Sequence, residues 1–107
     1  MNSRQKGARG ERELANKLKK EYGYECRRGQ QYCGANGDAD VVGLDGVHIE
    51  CKRVEHLNLY DAMSQSTHDA REGEIPAVFH RKNSCEWLVT IKMPDFMKLY
   101  NEWRGLK

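Results

Sequence analysis

Apolar residues recur in this chain with two different periods, and the switches between them mark out its elements. Over residues 8–22 the period is helical, with Leu14, Ala15, Leu18 and Tyr22 on one stripe. Gly23 follows where a helix-ending glycine belongs. Residues 24–28 alternate as a short strand, with Tyr24, Cys26 and Arg28 on one side. Residues 40–53, DVVGLDGVHIECKR, hold two apolar runs around a turn. In the second run Val47, Ile49 and Cys51 alternate with His48, Glu50 and Lys52, which predicts a strand with one face in a core. Asn58 caps a helix running to about Glu72, with Leu59, Ala62, Met63, Ser66 and Ala70 as its buried stripe and Gly73 beyond its end. Residues 75–80 and 86–91 read as strands on either side of a polar turn. Pro94 starts a last helix whose Phe96, Leu99, Tyr100 and Trp103 form a stripe for a core or an interface. The order is α-β-β-β-α-β-β-α. The economical packing is α/β, a mixed β-sheet flanked by helices, in a single domain over residues 1–107 with residues 1–6 polar and frayed.

The turn between the two apolar runs decides what the polar face carries. A two-residue loop of Asp45-Gly46 sets Asp40 opposite Cys51, pointing away from Glu50. A three-residue loop of Leu44-Asp45-Gly46 pairs Val41 with Ile49 and sets Asp40 opposite Glu50. Gly46 suits the left-handed position that three-residue hairpin loops need, so the second register is expected.

In that register two carboxylates face each other, and they repel unless a proton or a cation lies between them. Hard oxygen donors suit Mg²⁺ or Mn²⁺. Lys52, two residues from Glu50, could orient an attacking water or neutralise charge on a phosphate. The plainer reading is an exposed strand face with a Glu-Lys ion pair. Glu11 lies on the apolar stripe of the first helix, either favouring the helix dipole or serving as a third acidic group aimed at the same place. Asp38 shares a strand face with Asp40 and is its rival. Asp40 adjoins the apolar run and is preferred.

Charge changes the picture further. The net charge is only +2, but residues 1–34 carry nine Lys/Arg against four Asp/Glu, and residues 35–107 nine against twelve. A basic third beside an acidic site suits a polyanion gripped near bound metal. A solvated helix face explains part of the same excess. The loop over residues 29–38, GQQYCGANGD, is too polar for a core. It could close over a substrate, with Tyr32 stacking on a base, or simply connect. It lacks the G-K-[ST] ending of a phosphate-binding loop. The four cysteines show no C-x2-C pair and read as free thiols of a reducing cytoplasm. The four histidines are scattered and give no ligand spacing. No apolar run approaches membrane-spanning length, and the N-terminus has no apolar signal region.

KGARGERE at residues 6–13, ADVV at 39–42 and IECK at 49–52, in this element order, resemble the PD-(D/E)xK nuclease superfamily. Within it they look most like archaeal-type Holliday-junction resolvases and their phage-encoded relatives. The resemblance covers residues 6 to about 80. It implies a restriction-endonuclease-like fold, with Glu11, Asp40, Glu50 and Lys52 as the catalytic set. It implies Mg²⁺ (or Mn²⁺) held by Asp40 and Glu50, with help from Glu11 and the Cys51 backbone carbonyl. DNA phosphates would meet Lys6, Arg9, Arg12, Arg27 and Arg28, and Gln65 resembles a glutamine of the second helix in part of the superfamily. Ala39 stands where a proline often precedes the aspartate, a change that ligation tolerates. The activity implied is hydrolysis of branched DNA, most specifically a four-way junction, by a homodimer in the cytoplasm of a bacterium or infected host. A nicking or structure-insensitive endonuclease of the same fold, and a non-catalytic DNA-binding module, are the alternatives.

Overall fold

The computed structural model describes residues 3–30 and 39–106, with the backbone alone for residues 3–6. In chain order the elements are α1 (Ser3–Tyr22), β1 (Arg27–Arg28), β2 (Val41–Val42), β3 (Val47–Arg53), α2 (Leu59–Asp69), β4 (Ile75–Arg81), β5 (Leu88–Ile91) and α3 (Met93–Trp103). The strands form one sheet in the order β1-β2-β3-β4-β5. β3 and β4 run parallel with α2 as their crossover, and the other neighbours are antiparallel. This is the expected α/β architecture, a five-stranded mixed sheet with helices on its faces.

α1 covers one face through Leu14, Ala15 and Leu18. These pack with Val41, Ile49, Cys51, Ala77 and Phe79 into the main core. The approach is close at Gly10, where a Cβ would lie 2.5 Å from the Cβ of Arg53. Glu13 ties the helix to the sheet through ion pairs with Arg53, at 3.3 Å, and Arg81. α2 covers the other face. Its N-cap Asn58 accepts from the Asp61 N–H at 3.1 Å. Its Ser66 is fully buried, with Oγ 3.3 Å from the His48 carbonyl and 3.0 Å from that of Ala77.

The hairpin adopts the three-residue-loop register. Val41 pairs with Ile49, the Val47 N–H donates to the Leu44 carbonyl at 3.1 Å, and Gly46 has φ +87°. That backbone conformation strains any residue with a Cβ.

The structure departs from the sequence expectations where tertiary neighbours outweigh local pattern. α1 starts at Ser3, ahead of the frayed start expected near residue 8, because its first turns hold helix-forming residues but no apolar stripe to signal them. Glu13 is not a solvated outer residue but the tie just described. Tyr22 lies off the core and is exposed, and only Arg27 and Arg28 of the expected 24–28 strand pair with the sheet. The Tyr24 N–H instead closes the end of α1 on the Leu18 carbonyl. β3 is buried on both faces, not one, because it is the central strand. His48 and Glu50 are only 5% and 8% exposed. α2 ends at Asp69, capped by Ala70 rather than Gly73, and buries only Ala62 and Ser66 of the expected stripe. β5 begins at Leu88, two residues late. α3 buries nothing, so its aromatic stripe is not core.

Cys26, Cys51 and Cys85 are free thiols, as expected. Cys33, Tyr32 and Asp38 lie outside the described residues, as does the Lys6 side chain. Among the described residues no helix is long and apolar enough to cross a membrane.

Candidate active site

β2 leaves the sheet one residue before its first paired residue, and that residue is Asp40. Its backbone still bridges both neighbours: Asp40 N–H donates to the Ile49 carbonyl at 3.0 Å, and the Gly29 N–H donates to the Asp40 carbonyl at 2.9 Å. The side chain turns to β3, where Oδ2 accepts from the Cys51 N–H at 2.8 Å. A carboxylate thus fills a backbone partner's place beside Glu50, and it is fixed by main chain on three sides.

Glu50 stands beside it, buried against α2. Burial first, and the neighbouring Asp40 charge second, push the Glu50 carboxyl up to about 8, opposed by Lys52. Burial and the Asp40 charge thus both favour the neutral form of the Glu50 carboxyl. Lys52 reaches back along the same strand face, with Nζ 3.9 Å from Glu50 Oε1. Glu11 arrives from α1. Its carboxyl is also raised by burial, held partly in check by Arg28, whose Nε donates to Oε1 at 2.9 Å, and raised again by Asp40. Asp40 is therefore the electrostatic neighbour of both glutamates, and three acidic groups from three elements share one field.

Two neighbouring carboxyl groups, one of them buried, repel unless a proton or a cation lies between them. The chemistry of the donors fits a hard divalent ion, which would replace the proton and satisfy both oxygens. Burial also raises the Cys51 thiol, far from thiolate character, so the sulfur is inert here and only its backbone can serve the site.

The residues expected at DNA divide. Arg9, Arg12 and Arg27 are exposed: Arg12 acts on the Glu11 charge, Arg27 belongs to β1, and Arg9 lines a hollow with Glu13 and Arg53. Arg28 is half-buried, and its Nε donates to Glu11, so it holds a site residue in place. Gln65 is exposed on α2 and donates to Asp69 Oδ2 at 2.6 Å.

The structure also joins residues that the sequence kept apart. His48, Glu50 and Asp69 each offer a donor atom within 4.8 Å of the others. The histidines gave no local ligand spacing, yet His48 shares Glu50's strand face by the two-residue period. That period was the available signal; Asp69 arrives from the end of α2, which no local pattern reports.

A family model described as "Phage putative PDDEXK endonuclease" matches residues 2–106. No curated protein and no solved structure matches the chain.

Proposed function

The chain belongs to this phage PD-(D/E)xK endonuclease family, and from that premise we propose that it is a divalent-metal-dependent endodeoxyribonuclease, a single domain acting on branched DNA as a Holliday-junction resolvase. One observation carries the reading. Asp40, held by the Cys51 N–H at 2.8 Å, and the buried Glu50 stand together with Lys52 only 3.9 Å from Glu50, so the site gathers more negative charge than the chain itself offsets.

Asp40 and Glu50 would hold Mg²⁺ or Mn²⁺, with Glu11 and the Cys51 carbonyl completing the protein's share. When bound, the cation supplies Lewis-acid polarisation of the phosphate and lowers the pKa of a water. The chain's own residues do the rest. Arg28 fixes Glu11. The Cys51 N–H fixes Asp40, so the acidic set is positioned before substrate arrives. Lys52 brings a mobile ammonium to the attacked phosphate, where it orients the water or offsets developing charge. Arg9, Arg12 and Arg27, with Lys6, would hold flanking phosphates. Such contacts set position without reading sequence, as a structure-selective enzyme needs. Glu11, Asp40, Glu50 and Lys52 are accordingly the proposed catalytic set.

A junction needs paired cuts, which a two-fold dimer supplies. The exposed stripe of α3, where Phe96 and Trp103 flank Tyr100 at ring distances of 6.3 and 5.8 Å, supports such an interface. DNA as substrate and free thiols support action in the cytoplasm of the host.

Incubation with a labelled four-way junction, a linear duplex and Mg²⁺ tests the reading. Paired nicks in the junction but not the duplex are expected, lost on chelation and in Glu50→Ala and Lys52→Ala. Equal cutting of the duplex would reduce the reading to a structure-insensitive nuclease. Unchanged cleavage by both variants would refute the site.

A further inference from the structure

We propose a second cation position beside the first, built by His48, Glu50 and Asp69, that takes a transition-metal cation such as Mn²⁺ and discriminates against Mg²⁺. It rests on the nuclease reading only in sharing Glu50 with it.

The three donor atoms come from β3 and the C-terminal end of α2 and lie within 4.8 Å of one another. Donors about 2.1 Å from a cation stand up to about 4.3 Å apart, so a small closure completes the set. Two of the three are removed from water, His48 at 5% and Glu50 at 8% exposure. The His48 side chain makes no hydrogen bond among the described residues, and neither ring nitrogen is a sealed-off orphan, so the imidazole opens onto the cavity beside it. Its nearest polar neighbour is Glu74, with Oε1 3.7 Å from Nδ1. The same Glu74 oxygen accepts from the Arg71 N–H at 2.7 Å, which fixes it in the cavity wall beside the imidazole.

Asp69 is held as a ligand needs to be. Gln65 Nε2 donates to Oδ2 at 2.6 Å, and the His68 ring lies 3.1 Å from Oδ1. Gln65 then acts by orienting Asp69, a different role from touching DNA. Access exists: a cavity of about 180 Å³ is lined by His48, Asp69, Arg71, Glu74 and the β2–β3 hairpin. Arg71 is the one Lys or Arg of that lining among the described residues.

The donor set decides the metal. Mg²⁺ prefers oxygen and retains its waters, whereas an imidazole among carboxylates favours Mn²⁺, Fe²⁺ or Zn²⁺.

Stoichiometry tests this without reference to cleavage. Mn²⁺ titrations of the full chain, followed calorimetrically and by the electron paramagnetic resonance of free Mn²⁺, are expected to give two ions per chain, and Mg²⁺ one. His48→Ala and Asp69→Asn should each retain one Mn²⁺, the second weakened by at least about tenfold. Asp69 is exposed, so its variant keeps the fold even if His48→Ala loses it. A wild-type Mn²⁺ count that neither variant lowers, whether one or two, would overturn the proposal. Asp40→Asn separates the readings. It should retain the ion at His48; if instead it keeps two, the Asp40 position of the nuclease reading fails and this one stands.

Discussion

The two faces of β3 are built from alternate residues of one seven-residue strand, and they obey opposite rules. The face toward α1 carries Val47, Ile49 and Cys51 and joins the apolar core. The face toward α2 carries His48, Glu50 and Lys52, and α2 buries the first two. The first face loses free energy to water and gains it in the core. The second holds ionisable groups where water cannot solvate them, which costs stability unless something outside the chain compensates. Folding and chemistry are thus separated by a step of one residue along a strand. Substitutions on one face should damage stability alone, and those on the other should damage activity while relieving the fold.

The largest effect is expected at Glu50. Glu50→Gln should lower cleavage on the order of 10³-fold, measured in single-turnover assays. The same change should raise the stability of the metal-free protein at alkaline pH. The sign follows from burial. The folded carboxyl titrates at about 8 against an ordinary 4.5, so the unfolded chain loses its proton first as pH rises. The stability is full below about 4.5 and is lost as pH climbs through about 8. Thermal melts of metal-free wild type should therefore show a decline over that window that Glu50→Gln lacks. Added Mg²⁺ should raise the melting temperature more at pH 8 than at pH 6, because the cation replaces the proton. A wild type whose metal-free stability rises through that window would contradict the burial argument.

On the opposite face Ile49→Ala should do the reverse. Ile49 is fully buried. Its truncation should cost about 2–5 kcal/mol in denaturant melts and leave the turnover of the folded fraction near wild type. A large loss of turnover with intact stability would show that the two faces are not separable.

Gly10→Ala probes the contact that seats α1. The added methyl would lie 2.5 Å from Arg53 Cβ, in a helix that must stay close to carry Glu11 to the site. A loss of about 1–3 kcal/mol is expected from overpacking. Cleavage should fall too, because Glu11 moves with its helix. A stability loss with full cleavage would remove Glu11 from the site.

The apolar face of β3 was readable from the sequence, and the polar one only in part. Period two placed Ile49 and Cys51, and the reading of Leu44-Asp45-Gly46 as a three-residue loop, with Gly46 at its positive φ, placed Asp40 against Glu50. These are local signals. That His48 and Glu50 are buried was invisible, because polar residues at every second position look solvated until α2 is laid over them. The pairing of Arg28 with Glu11 was equally invisible, the two lying 17 residues apart. The α3 stripe was legible as amphipathic, but it stays unburied among the described residues.

The smallest effect isolates how α2 seals the polar face. Ser66 is fully buried and lies under two strands, its single hydroxyl hydrogen shared between the carbonyls of His48 and Ala77. Ser66→Ala removes the donor and leaves both carbonyls with their other partners, so a loss of about 1 kcal/mol is expected. Because the hydroxyl holds His48 by its backbone, the slack should reach the imidazole and Glu50 before it reaches the core. Ser66→Ala should therefore weaken Mn²⁺ binding more than it lowers the melting temperature, while Ala62→Gly, on the same buried side of α2 but without a hydrogen bond to β3, should do the opposite. If both variants change stability and metal affinity in equal proportion, α2 covers the polar face merely as bulk, and the hydroxyl has no special hold on it.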